Sequence, residues 1–340
     1  MTMDERPTIC NATHVAFDTP TAEQLLRMGA TSVVPASDCL VIGPSRQDAE
    51  EHTRARKTFW SSFDEFDRLY SSKICWKPPV VLWVSSSVHE RVNLWRACSW
   101  LRQLGISCDD VTIVDLEPVV ISRRRDELAP MYECNDSVSD HPDVILLERL
   151  DKAQPWPRER YDRAVQLWIM YADANPLLFV ESCIRGVEGF PELASLWALL
   201  SCFHARRTPD GRLLLSRFDE FLLELLSEEW RTPLAVYCHK SQQGAELRGF
   251  LSYTGDLFLV DRLTHWADHD ASAFVERAPG PNPDEPMKSF VYRITERGLR
   301  LRDKGLDQLT DAPSLPLAGI EAYSASAPWV LLEDGRLARM

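Results

Sequence analysis

The clearest signal along the chain is an unbroken apolar run, Val80-Val81-Leu82-Trp83-Val84, which predicts a strand covered on both faces. Lys77-Pro78-Pro79 separates it from what precedes, and Ser85-Ser86-Ser87 follows it as an N-cap for the next helix. Val88, Val92, Trp95 and Leu101 then recur at helical spacing as far as Gly105, and Val111–Asp115 reads as a further strand. Strand, helix, strand at this spacing is a βαβ unit, so the sheet is expected to be parallel. Upstream, residues 8–16 read as a first strand, Thr21 as the N-cap of a helix, and Ser32–Val34 and Cys39–Ile42 as short extended pieces. Phe59, Trp60, Phe63, Phe66 and Leu69 make 46–72 an amphipathic helix or pair.

Periodicity is lost over 117–160, where Arg123-Arg124-Arg125, scattered acids, Pro142, Pro155 and Pro157 suggest an irregular linker. Helical spacing returns at 161–174, 190–205, 216–227 and 255–268. Residues 273–276 and 289–294 can pair as a hairpin across the Pro/Gly-rich stretch 278–286, and Thr295 caps a last helix. The expected organisation is an α/β ligand-binding domain over 1–120, Rossmann-like with three layers around a parallel sheet. An irregular linker over 121–160 joins it to a mainly α, winged-helix-like domain over 161–340.

The net charge of −13 and pI near 5.1 disfavour a general nucleic-acid binder or one that docks on an anionic membrane surface. Over 206–310 there are 15 Lys and Arg against 17 Asp and Glu, a net of −2. The helix in the recognition position carries Asp256, Asp261 and Asp268 with only Arg262, whereas a major-groove reader wants Arg, Lys, Asn and Gln. Such a domain is better suited to docking a protein partner. Nine cysteines without CxxC or zinc-finger spacing fit a reducing compartment and give no metal site. The polar, acidic start lacks the apolar stretch of a secretory signal, and no apolar run is long enough to span a bilayer, so a cytoplasmic location is expected. With 14 glycines and neither a dinucleotide nor a P-loop fingerprint, the sequence names no cofactor.

Candidate chemistry gathers after the predicted strands. In open parallel sheets, ligands bind beyond the carboxyl ends of strands where the strand order reverses. A helix N-terminus there favours a phosphate or carboxylate. Ser85, Ser87, His89, Glu90 and Asn93 follow the Val80–Val84 strand, His14 and Asp18 lie at the end of the first, and Asp38 and Arg46 flank Gly43-Pro44. The plainer alternative is that Ser87 caps its helix and the others are solvated. A serine hydrolase is disfavoured because no Gly-x-Ser-x-Gly elbow is present. His265 and His269 share a helical face, but beside Asp268 and Asp270 they also read as a charged surface.

Several short elements together resemble the bacterial "domain of unknown function 1835" family. They are His14-Val15 with Asp18, Asp38-Cys39-Leu40-Val41-Ile42-Gly43-Pro44, and Leu82-Trp83 with its following loop and helix. In the second half they are Trp168, Pro176, Phe190-Pro191-Glu192-Leu193, Ser216-Arg217-Phe218, Thr254-Gly255-Asp256 and Thr295 with Gly298. The resemblance implies an α/β domain with a helical partner domain. Where that family carries carboxylates and a Gln after its Leu-Trp strand, this chain has Ser85, Ser87 and Arg91, and a Trp-x-Gly-Gly element is reduced to Gly319. The resulting expectation is a protein binding an anionic small molecule or a peptide, either as a binding protein or as an enzyme of a bacterial biosynthetic pathway. The alternatives are a non-catalytic accessory subunit of a biosynthetic complex and a winged-helix transcriptional regulator.

Overall fold

A computed structural model describes residues 8–61, 76–117, 119–121, 133–135, 137–269 and 274–340. Its first elements are β1 (Thr13–Ala16), α1 (Thr19–Arg27), β2 (Ser32–Pro35), β3 (Gly43–Pro44), α2 (Ala49–Phe59), β4 (Val80–Val84), α3 (Val88–Gln103) and β5 (Val111–Asp115). There follow β6 (Val119–Ile121), β7 (Glu133–Asn135), α4 (Asp143–Lys152), α5 (Arg158–Tyr171), α6 (Leu177–Arg185), α7 (Glu192–Ser201), β8 (Arg206–Arg207) and β9 (Leu213–Leu214). The rest comprises α8 (Arg217–Leu225), α9 (Pro233–Tyr237), α10 (Gln242–Thr254), α11 (Asp256–Asp268), β10 (Val275–Pro279), β11 (Phe290–Ile294) and α12 (Glu296–Lys304). Short strands β12 (Leu315–Ala318), β13 (Ile320–Ala322), β14 (Trp329–Leu331) and β15 (Leu337–Arg339) end it. The chain divides into two compact units, one of Met1–Leu40, Pro44–Ala174 and Gly186–Leu193, the other of Val41–Gly43, Asn175–Arg185 and Ala194–Met340. Among the described residues no helix is long and apolar enough to cross a membrane.

The first unit is built on a parallel sheet in the order β2-β1-β4-β5. All five residues of β4 are buried, as the apolar run requires of a strand with both faces covered. The pleat sends Ala16, Val81, Trp83 and Val114 to one face, where they pack with Ala22 and Leu25 of α1 and Leu146 and Leu150 of α4. Helix α3 packs on β4 and against α5, and its residues from Val92 to Leu101 are all buried. The Tyr161 hydroxyl donates to the Cys98 carbonyl across that helix pair at 2.8 Å.

Three local expectations change. Asp18, not Thr21, caps α1: its carboxylate accepts from Thr21 N at 2.5 Å and from the Thr21 hydroxyl at 2.8 Å, and Pro20 fits the first turn, where no N–H is needed. Cys39–Ile42 forms no strand; the extended pair is Gly43–Pro44. The segment read as irregular contains α4, whose Leu146 and Leu150 belong to the sheet's core. Its outer face hid the pattern, because Val144 and Leu147 are exposed at 68% and 40% and blur the apolar stripe. Part of the 46–72 helix, and Arg123–Arg125, lie outside the described residues.

The second unit is mainly helical. Its centre is the buried carboxylate of Asp219 on α8, gripped at 2.7 and 2.9 Å by Arg262 of α11. Trp266 Nε1, the Tyr323 hydroxyl and the Ser216 hydroxyl also donate to it. Arg262 spends its remaining donors on the Pro313 and Ser314 carbonyls. Every polar group at this core therefore has a partner, the condition under which a buried charge pair is tolerated. Strands β10 and β11 pair antiparallel; β10 runs on to Pro279, into the stretch read as loop, and β11 starts one residue later than the sequence suggested. Thr295 caps α12 by accepting from Gly298 N, as expected. Gly298 is required there, since a Cβ would fall 2.2 Å from the Phe274 carbonyl oxygen.

Leu146→Ala tests the packing of α4. It is expected to cost about 2–5 kcal/mol in urea unfolding, the range for truncating a buried Leu. A cost within about 0.5 kcal/mol, as for an exposed linker position, would show that α4 is not part of the core.

Candidate functional site

Strand β1 leads to β2 on one side of the sheet, and the chain later crosses to β4 on the other. The order therefore reverses between β1 and β4, and the crevice of a parallel sheet opens at their carboxyl ends. Phe17 and Asp18 leave β1 there, and Ser85–Ser87 leave β4 to enter α3. Ser87 occupies the N-cap of this 16-residue helix, yet its side chain makes no capping bond. Helices α1, α2 and α8 differ: Asp18, Asp48 and Ser216 close their first turns. The N-terminus of α3 is left without a side-chain cap at the switch point.

His89 stands beside it, half-buried. Its Nε2 lies 3.2 Å from the Phe17 carbonyl, which can only accept, so Nε2 carries the hydrogen and Nδ1 the lone pair. Burial lowers its pKa and keeps the ring neutral. Glu90, the next residue, is buried. Its Oε2 accepts from Ser85 N at 2.7 Å and its Oε1 from Val138 N at 3.2 Å. Burial and then the charge of Asp18 push its pKa up to about 8, with the N–H bonds pulling the other way. The Ser85 hydroxyl is buried and accepts from Ser87 N at 3.2 Å.

Behind this mouth lies Asp38, its side chain fully buried. Arg56 Nη2 bonds Oδ1 at 2.5 Å, while Arg96 Nη1 and His52 Nε2 lie 2.9 and 3.3 Å from Oδ2. Burial alone would raise the Asp38 pKa, but Arg56, His52 and Arg96 hold it far below the usual carboxylate range. His52 Nδ1 accepts from Arg46 N at 3.2 Å, so Nε2 carries the hydrogen given to Asp38. Burial outweighs the carboxylate and lowers the His52 pKa to about 4. Asn93 links cluster to mouth: its Nδ2 donates to the carbonyls of Asp38 and His89, and its Oδ1 accepts from Arg96.

The structure thus brings Asp18, Ser85, Ser87, His89, Glu90 and Asn93 to one edge, with Asp38 behind them. Asp38 has no surface to present and acts by holding other side chains. Asp18 is engaged as the α1 cap and by the Ser137 hydroxyl. His14 faces the core instead: Nε2 donates to the Ile9 carbonyl and Nδ1 accepts from Trp83 Nε1, which uses both nitrogens. The exposed Arg46 guanidinium bonds the neighbouring Ser45 carbonyl. His52, Arg56 and Arg96 were not picked out from the sequence. Their signal was present in His52 and Arg56 at i, i+4, and in Arg96 set inside the apolar stretch Leu94-Trp95-Arg96-Ala97-Cys98. Among the described residues no group of three or more His, Cys, Asp or Glu is placed to hold a metal ion.

The pH dependence follows from His52. Its folded-state pKa lies below its unfolded one, so the unfolded chain takes up the proton first. Stability is fully present above about 6.5 and falls as pH drops toward 4, by of order 3 kcal/mol from this group. Chemical unfolding from pH 7 to 4 should show a shallower fall for His52→Gln than for the wild type; parallel curves would remove His52 as the cause.

No family model matches the chain, and no curated protein matches it either.

Proposed function

We propose that the first unit binds a small molecule or peptide at the carboxyl edge of its sheet, with an anionic part of the ligand against the N-terminus of α3. The observation that carries this is the absence of a side-chain cap on a long helix at the β1/β4 switch point, with half-buried Ser87 and neutral His89 beside it. Backbone N–H groups of a first turn favour an anion, and a His held as the Nε2–H tautomer offers a lone pair to a donor on the same ligand. The resemblance to the "domain of unknown function 1835" family belongs to this proposal, as does a cytoplasmic, Rossmann-like protein acting in biosynthesis. Binding is assigned, and no reaction.

A docking role for the second unit has separate support. The order α8, a bridge at Arg231–Tyr292, α9 and α10, α11, the β10–β11 hairpin and α12 supports a winged-helix reading. On α11, in the position of a reading helix, the exposed side chains include Asp256, His265 and Asp268, while Arg262 is buried against Asp219. A protein surface suits that face better than phosphates do.

Native mass spectrometry of the freshly purified protein tests the first reading. The wild type is expected to retain a small added mass that Ser87→Ala/His89→Ala loses while keeping its urea midpoint. A bare mass for both proteins would favour the accessory-subunit alternative. A sequence-dependent electrophoretic shift on DNA at moderate salt would restore the regulator.

A further inference from the structure

Asp115, the last residue of β5, pairs in register with Val84 at the end of β4, so it lies on the same edge as the Ser85–Ser87 turn. Its carboxylate takes the Arg91 guanidinium in bidentate fashion at 2.5 and 3.0 Å. Arg160 Nη2 approaches it at 3.5 Å. Two guanidiniums therefore share one carboxylate at a place still open to water, with the side chains of Arg160 and Asp115 about a third exposed, at 35% and 32%.

Two polar atoms around this group are orphaned. Glu192, only 7% exposed, accepts from Trp95 Nε1 at Oε1, but its Oε2 is buried without a partner. Arg160 Nε is likewise buried and unpartnered, although the guanidinium lies 3.9 Å over the Trp156 ring and Nη2 donates to the Gly189 carbonyl. A buried polar atom left unpaired is costly, so two beside one charged group call for an explanation. Burial, more than any neighbour, raises the Glu192 pKa, so this carboxyl keeps its proton more readily than a free one, and in the protonated form Oε2 is an O–H donor. Both orphans then lack the same thing, an acceptor oxygen.

We propose that Arg91, Arg160 and Glu192, arranged around Asp115, form an oxyanion subsite that takes the carboxylate or phosphoryl end of a ligand lying along the carboxyl edge of the sheet. The two guanidiniums supply charge, and Arg160 Nε and Glu192 Oε2 supply the donors that now lack partners. A cationic ligand would meet two guanidiniums and leave both orphans unsatisfied. The subsite deepens the reading of the switch point and rests on it, since the anion belongs to the ligand proposed there.

Titration of the full chain with sulfate and, separately, with acetate tests it by calorimetry. At least one anion is expected to saturate, sulfate pointing to a phosphoryl group and acetate to a carboxylate. Arg160→Gln should weaken it by about tenfold or more, and Arg160→Lys by less. Binding should weaken as pH rises and Glu192 ionises, and Glu192→Gln should remove that pH dependence while the melting transition stays cooperative. Failure of both anions to saturate, or equal binding by wild type and a folded Arg160→Gln, overturns the proposal. The Ser87→Ala/His89→Ala protein keeps the two ideas apart. If sulfate and acetate fail while a retained mass still depends on Ser87 and His89, only the subsite falls. If an anion binds through Arg160 but the retained mass survives that double substitution, only the switch-point reading falls.

Discussion

The buried carboxylate of Asp38 constrains the first unit more than any other group. An isolated charge in an apolar interior costs several kcal/mol, so Asp38 is tolerable only while Arg56, Arg96 and His52 all reach it. Those partners lie on α2 and α3, and the loop carrying Asp38 follows β2. One carboxylate therefore fixes how two helices and a loop meet. Asn93 extends the constraint by bonding the backbones of Asp38 and His89 at once. The position of the His89 ring at the mouth is thus set by an ion cluster that the mouth never exposes.

The second unit solves the same problem with other parts. Asp219 collects one guanidinium, an indole, a phenol and a hydroxyl, and its Arg262 partner is completed by two carbonyls. Apolar replacements of such clusters can match them in stability, so their value lies in geometry, because wrong arrangements strand a charge. Here the geometry joins α8 and α11 to the chain around 313–323. It also takes Arg262, the only Arg or Lys of α11, off that helix's exposed face.

How much was legible depended on whether a residue's role follows from its neighbours in the chain. The Val80–Val84 strand, the helix after it and the parallel sheet were readable because burial on both faces leaves an unmistakable apolar run. The N-cap Thr295 was readable for a similar reason, since a cap acts within one turn. Helix α4 was not, because it covers one side of the sheet with Leu146 and Leu150 while Val144 and Leu147 face outward amid prolines. His14 drew attention as a His at a strand end, yet its partners are a carbonyl five residues back and an indole sixty-nine residues on. Asp38 was found but assigned the wrong kind of work, because sequence cannot tell a presented carboxylate from one swallowed by two arginines. Helices α6 and α9 and the strands after Leu315 left too short a pattern to separate from loop, and α10, though 13 residues long, buries only Leu247 and Leu251 among its apolar side chains.

The protonation states at the edge narrow what it can recognise. Burial holds His52 and His89 neutral at neutral pH, and Glu90 keeps its proton up to about 8. The titratable groups that look most like acid–base machinery therefore add little net charge around pH 7. The field at the mouth comes instead from the amide dipoles of α3, which favour negative charge, from the permanently charged Arg91 with its carboxylate partner, and from the charge of Asp18, which opposes an anion. Within that field His89 Nδ1 is an acceptor set among donors. A bare inorganic anion would satisfy the donors and leave that lone pair unused. A ligand that joins an anionic oxygen to a hydroxyl or amide N–H would satisfy both, and this combination is common to phosphorylated or carboxylated metabolites and to peptides. Selection among them would rest on the distance between the two groups, which the rigid α3 start fixes, rather than on charge alone.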